Sequence, residues 1–361
     1  MILIVSHAEV DMPSDIVSSW ILYLGSDCLR LNGKDLVQNK NSVLITSRGC
    51  REGKGWVSSI LDVAKISSVW MRRWIQSDHF RQLEVQMSNS ALQEISEKES
   101  LESMSGGAVS LGAEEVLFSN LRQEITLQRR NEFKGYSQYL FEILGAIPTL
   151  GSRFYSGGDP NKAVQMRMAQ EAGLVIPDTL ITNSRDELRD FAAAYPAIIC
   201  KNISEIATFY YSGRFFITYT TVVTQELIDC LPERFYLSIF QEAIDKEFEI
   251  RVFYLNGRTY SMAIFSATDP QTSIDFRVYN GNKPNRTVPF KLPAEIERKV
   301  IVFMEGVGLV TGSLDLLYSR KGEYVFLEVN PVGQFGMVSM PCNYNLEKAV
   351  AEYLIKIASH G

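Results

Sequence analysis

The sequence predicts an α/β (α+β) chain: a small parallel sheet at the N-terminus, then a larger part built on antiparallel hairpins. Two observations carry this. The apolar run Ile2–Val5, the helix-like run Ile16–Leu24 and the stretch Cys28–Leu31 follow in strand–helix–strand order, the unit of a parallel sheet. Far along the chain, Asn256-Gly257 and Lys321-Gly322 each separate two apolar-rich runs, the mark of a tight hairpin.

The elements follow in order. Gly25 stops the first helix, and Val43–Thr46 and the run ending in Val69-Trp70-Met71-Arg72-Arg73-Trp74 read as further strands. From Phe80 to Leu144 the pattern is helical and charged, with Val116, Leu117, Leu121 and Ile125 at helical spacing. The main domain boundary falls between 130 and 155, before the loop signal Gly157-Gly158-Asp159-Pro160. Asn161–Gly173 is a helix with Asp159 or Asn161 as its cap. Strand Pro177–Thr182 precedes helix Ser184–Ala194, in which Ser184 and Glu187 form a capping box. Strands are expected at Ile198–Lys201, Phe215–Val223, Phe235–Glu242, Phe248–Leu255 and Thr259–Ser266. Helix Pro293–Val307, hairpin strands Gly312–Tyr318 and Tyr324–Asn330, and helix Leu346–Ile357 complete the chain.

Composition narrows the function. The 361 residues suggest two or three domains. With 46% apolar and 22% charged residues the chain is globular rather than disordered. Its net charge of −6 argues against a dedicated nucleic-acid binder. Cys28, Cys50, Cys200, Cys230 and Cys342 stand singly, which reads as reduced thiols and excludes a structural zinc motif. The apolar N-terminus is too short for a signal peptide, and no run reaches the roughly 18 apolar residues of a membrane span. The expected location is therefore the cytoplasm.

The chemistry gathers on the last hairpin. If Lys321-Gly322 is a two-residue turn, Asp315 faces Glu328 across the ladder, and Asn330 shares the face of Glu328. An isolated Asp–Glu pair usually finds lysines or arginines nearby. Two carboxylates facing each other amid Leu314, Leu316, Phe326 and Val329 repel, however, and a hard cation such as Mg²⁺ relieves that repulsion. Lys162 opens a helix and Lys201 ends a strand, and both can meet phosphates as point charges. Phe240-Gln241-Glu242-Ala243-Ile244 ends a strand ahead of Glu247 and can offer backbone groups to a base edge. His7 and His79 read as structural or exposed.

Lys162, Lys201, Gln241-Glu242-Ala243-Ile244, Glu249-Ile250-Arg251 and Asp315…Glu328-Val329-Asn330-Pro331 fall in the order of the ATP-grasp superfamily, which residues 155–357 resemble. A narrower likeness extends over nearly the whole chain. Trp70-Met71-Arg72-Arg73 resembles the Trp-x-Arg-Arg element of microviridin-type ligases. Asp275-Phe276-Arg277 is similar to their Asp-Trp-Arg, and the run from Phe326 to Tyr344 resembles the graspetide synthetases, or grasp-with-spasm peptide maturases.

The resemblance implies an ATP-grasp fold with three parts: an N-terminal pre-ATP-grasp domain with a helical extension (1–145), a central lobe (146–235) and a C-terminal lobe (236–361). It implies ATP and Mg²⁺ as cofactors, and a ribosomal precursor peptide with Thr/Ser and Asp/Glu in its core as partner. No nucleic acid or membrane is expected, and the chain is expected to be a homodimer. Lys162 and Lys201 would hold phosphates. Gln241, Glu242 and Ile244 would border adenine and Glu247 the ribose. Arg251, Asp275 and Arg277 would act on the transferred phosphoryl and the nucleophile, and Asp315, Glu328 and Asn330 would hold the metal. Ser204–Arg214 would be a lid. The alternatives are an amide ligase acting on amino acids or a protein C-terminus, and an inactive peptide-binding scaffold.

Overall fold

The structure, a computed structural model, describes residues 1–6, 11–33, 35, 41–42, 57–58, 61–74, 111–151, 161–203, 208–211, 214–217, 220–266 and 285–359. Asp275, Arg277, His7, His79, Val43–Thr46 and much of the expected lid lie outside these residues. The chain divides into two compact units, Met1–Ser156 with Ala351–Gly361, and Gly157–Val350.

In the first unit β1 (Ile2–Ser6), β2 (Cys28–Asn32), β5 (Ser68–Met71) and β6 (Thr149–Leu150) form a parallel sheet in the order β2-β1-β5-β6. A two-residue ladder joins β3 (Asn41–Ser42) to β4 (Val57–Ser58). All five residues of β1 are buried, as expected of a strand covered on both faces. Helix α1 (Met12–Tyr23) begins four residues before the expected Ile16. Pro13 does not prevent this, because a first-turn N–H has no helical partner to lose. Asp11, at the N-cap position, makes no side-chain cap bond. Its carboxylate instead accepts from Ser6 and Ser14 hydroxyls and pairs with the buried Arg72 at 3.5 Å. Helix α2 (Leu111–Leu144) brings Leu140, Phe141 and Leu144 onto a core of Leu3, Val5, Val69 and Trp74.

Among the described residues the second unit holds a four-stranded sheet, a five-stranded sheet and a two-stranded ladder. Helix α3 (Lys162–Glu171) opens it, with Asn161 capping the N–H groups of Ala163 and Val164. Strands β7 (Thr179–Ser184), β8 (Ile198–Lys201), β11 (Thr221–Val223) and β12 (Arg234–Glu242) make a four-stranded sheet in the order β11-β8-β12-β7. Helices α4 (Arg185–Ala194) and α5 (Gln225–Cys230) cover the face built on Ile198, Val223 and Phe240. The expected capping box is relayed. Ser184 Oγ accepts from Glu187 N–H, but Glu187's carboxylate takes the Thr182 hydroxyl, and Thr182 in turn accepts from Ser184 N–H. The expected strand Phe215–Val223 is split. Its first part is β10 (Arg214–Ile217), paired with β9 (Thr208–Tyr211), and its second part is β11 in the other sheet.

Strands β13 (Lys246–Leu255), β14 (Arg258–Phe265), β15 (Arg286–Phe290), β16 (Thr311–Ser319) and β17 (Tyr324–Asn330) form an antiparallel sheet in the order β15-β14-β13-β16-β17. The Asn256-Gly257 turn has φ of 45° and 82°, as a two-residue hairpin turn of this type requires. Ile250, Val252, Tyr254, Leu314, Leu316 and Val329 lie on one face, against α3 and α6 (Ala294–Gly306). Alternation sends Arg251, Asp315 and Glu328 to the other face. Helices α7 (Gly336–Cys342) and α8 (Leu346–Ala358) follow.

The last hairpin reaches its expected pairing by an unexpected route. Gly322 N–H bonds to Ser319 and Ser319 N–H to Glu323, so the loop has three residues with Gly322 left-handed at φ 86°. Near the turn Tyr318 pairs with Tyr324. A bulge at Leu327 then shifts the register by one, and Asp315 faces Glu328 as the sequence suggested.

Candidate functional site

The face opposite the core carries a line of charge across three strands. Arg251 of β13 is opposite Asp315 of β16, which is opposite Glu328 of β17. Arg251 is 5% exposed and its guanidinium bonds the Asp315 carboxylate. Lys162, the first residue of α3, lies 3.2 Å from Glu328 and donates to the Asn202 carbonyl at 3.2 Å. It therefore links the four-stranded and five-stranded sheets of this unit, from the end of β8 to β17. Lys201 ends β8 opposite Ile239. Asn330 lies one pleat beyond Glu328, and its side-chain oxygen accepts Val332 N–H at 3.0 Å.

The base-edge segment is anchored by its own backbone. Glu242 N–H donates to Asp178 and Ala243 N–H to Ala197. The Glu242 carboxylate accepts Asp178 N–H at 3.0 Å, and Asp178 accepts the Tyr195 hydroxyl at 2.6 Å. That last bond pushes the Tyr195 phenol up to about 12. Gln241 is fully buried on the face toward α3, and its Nε2 meets Thr179 and Met166. Ile244 is half-buried in the connection to β13, and Glu247 is exposed at the bulge near the start of that strand.

Two groups escaped sequence reading. The first is the joining of Lys246 and Ser266 to Glu249, which the sequence marked only as part of Glu249-Ile250-Arg251. The bulge between Lys246 and Phe248 turns Lys246 toward Glu249, and the two pair at 2.6 Å while the Ser266 hydroxyl donates to the same carboxylate. Burial pushes the Glu249 carboxyl up, against the opposing pull of Lys246 and Ser266. The second is Gln165, whose amide pairs with the backbone of Val329. Its only sequence signal is the three-residue spacing from Lys162, one helical turn.

The residues fit a magnesium nucleotide. Asp315, Glu328 and Asn330 offer hard oxygens only. Among the described residues no group of three or more His, Cys, Asp or Glu can hold a metal. Two carboxylates and an amide suit Mg²⁺, which keeps waters and takes phosphate oxygens to complete its shell. Gln241 Oε1 and Arg251 Nε are buried without a hydrogen-bond partner, polar atoms that a ligand can satisfy.

Comparison with solved structures places this architecture. The chain has the ATP-grasp fold along nearly its whole length. The macrocyclase MdnC from Microcystis aeruginosa, bound with precursor peptide MdnA, is similar with a TM-score of 0.70 and 22% identity over 98% of this chain and 99% of that one. A RiPP-associated ATP-grasp ligase from Chryseobacterium gregarium, in complex with ADP and a leader and core peptide, gives 0.71 and 22% over 98% and 96%. The ATP-grasp ligase PsnB, complexed with minimal precursor, Mg and ADP, gives 0.70 and 16% over 99% and 97%. No protein-family model and no curated protein sequence matches the chain. No helix among the described residues is long and apolar enough to cross a membrane.

Proposed function

We propose that this chain is an ATP-dependent peptide macrocyclase of the graspetide synthetase kind. The observation that carries the reading is the cross-strand row Arg251–Asp315–Glu328 with Lys162 on Glu328. It lies in a fold shared end to end with ligases solved with precursor peptides.

An Asp or Glu side chain of the peptide attacks the γ-phosphorus of ATP, and ADP leaves. A Thr or Ser hydroxyl, or a Lys amine, of the same peptide then attacks the acyl carbon, losing its proton, and phosphate departs. The product is an ω-ester or ω-amide ring. Lys162 and Lys201 hold phosphate oxygens as point charges. Arg251 and Arg277 present guanidinium forks to the transferred phosphoryl. Asp275 orients Arg277 or the incoming hydroxyl. Gln241, Glu242 and Ile244 border the base and Glu247 the ribose. Asp315, Glu328 and Asn330 would hold Mg²⁺, which when bound would supply positive charge against the phosphates. Most of the protein's contribution is positioning.

The lobes 146–235 and 236–361 serve as the grasp, 1–145 as the preceding domain, and the enzyme acts as a cytoplasmic homodimer. The test is incubation with ATP, Mg²⁺ and a precursor peptide rich in Thr and acidic residues, followed by mass spectrometry. Loss of one water, about 18 Da, per bond is expected from condensation. Joined amino acids with an unchanged peptide mass would point to the amide-ligase alternative, and a stable phosphopeptide to a kinase.

A further inference from the structure

We infer that Gln165 is a positioning residue that sets the spacing between the phosphate-binding lysine and the metal-binding strand. The inference rests on the magnesium-nucleotide reading above. Strand β17 is the edge of its sheet, so one side of its backbone has no strand to pair with, and buried backbone groups need partners. Two substitutes cover it. At one end Val175 forms a bridge with Val325, and Phe326 N–H donates to the Val175 carbonyl at 2.8 Å. At the other end Gln165, 5% exposed, accepts Val329 N–H on Oε1 at 2.8 Å and donates from Nε2 to the Val329 carbonyl at 3.1 Å.

Val329 lies between Glu328 and Asn330, the two candidate metal ligands on this strand. Lys162 lies one turn before Gln165 and meets Glu328 at 3.2 Å. The side-chain amide offers its oxygen as acceptor and an N–H as donor, matched to the N–H and carbonyl of a single strand residue. A slip by one residue would present the wrong groups. Helix α3 is thus held to β17 both within the helix, at Gln165, and just after it, at Val175.

The experiment uses the full chain with Gln165→Met, which keeps the side-chain volume but cannot pair, and Gln165→Glu, which keeps the acceptor and loses the donor at neutral pH. ADP binding is measured by calorimetry over a series of Mg²⁺ concentrations, beside thermal unfolding. In Gln165→Met the Mg²⁺ concentration for half-maximal ADP binding is expected to rise about tenfold or more. In Gln165→Glu the rise is expected at pH 8 and to shrink at pH 5, measured against wild type at each pH, because a protonated carboxyl regains the donor. A lowered melting temperature with an unchanged Mg²⁺ midpoint in the folded variants would make Gln165 structural only and overturn the inference. Should Gln165→Met not fold, an unshifted Gln165→Glu at pH 8 overturns it equally. Wild type that binds no ADP at any Mg²⁺ concentration would instead overturn the nucleotide reading itself.

Discussion

A carboxylate opposite another carboxylate on a β-ladder needs a cation for each, and here Asp315 has Arg251 while Glu328 has Lys162. The two pairs are not equivalent. The Arg251–Asp315 side chains are 6% and 18% exposed, those of Lys162 and Glu328 13% and 25%. Breaking the deeper pair takes a buried guanidinium away from a mostly desolvated carboxylate. Arg251→Met is therefore expected to lower the unfolding free energy by about 2–4 kcal/mol. Adding Asp315→Leu should recover part of that loss, since the carboxylate that Arg251 faced is gone too, while ATP turnover should be lost. Denaturant titrations of the two singles and the double give the coupling, and strict additivity would exclude the pair as the cause. At the shallower pair, Glu328→Gln keeps volume and loses charge. ADP formation with Mg²⁺ should fall by about 100-fold or more with little change in melting temperature, and undiminished turnover would remove Glu328 from the metal site. The acidic residues of the hairpin were legible from local spacing. Gln165 and the Lys246–Glu249–Ser266 set were not, because their partners lie on other elements or depend on a bulge that no residue type announces.

At the scale of elements, turn chemistry decided what sequence could foresee. Asn256-Gly257 names its turn because both positions need positive φ, and few other residue pairs accept that. Lys321-Gly322 was ambiguous. A glycine serves a two-residue turn and also the left-handed third position of a three-residue loop, and the structure takes the latter. The expected Asp315–Glu328 pairing survived because the bulge at Leu327 restored the one residue that the longer loop had removed. Strand β15 was missed because Pro289 interrupts its pattern, and an edge strand tolerates a proline that an inner strand would not. The loop glycine gives a test of the hairpin as an element. A side chain at φ 86° is strained, so Gly322→Ala should destabilise the chain by about 1–2 kcal/mol. Since the turn is distant along the strands from Asp315, the KM for ATP should not change. A changed KM would mean that the turn reports on the site.

For the whole molecule, the two units can be followed separately, because Trp20, Trp56, Trp70 and Trp74 are all the tryptophans and all belong to the Met1–Ser156 unit. Their fluorescence reads that unit, whereas circular dichroism reads both. The unit has a titratable centre that the proposed catalysis does not use. Burial alone would raise the Asp11 carboxyl, but Arg72 and the Ser14 and Ser6 hydroxyls outweigh it and hold the group below the usual carboxylate range. A carboxyl depressed in the folded state binds its proton more weakly there than in the unfolded chain. Its stabilisation is complete above the unfolded value of about 3.9 and is lost as pH falls toward the lower folded value. The urea midpoint followed by tryptophan fluorescence should therefore hold steady from pH 7 to about 5 and fall between about pH 5 and 3. In Asp11→Asn, the buried Arg72 loses the carboxylate it pairs with here. The midpoint should be lower at pH 7, and the part of the acid dependence due to this carboxyl should vanish. Parallel pH profiles for wild type and Asp11→Asn would place the acid sensitivity of this unit elsewhere.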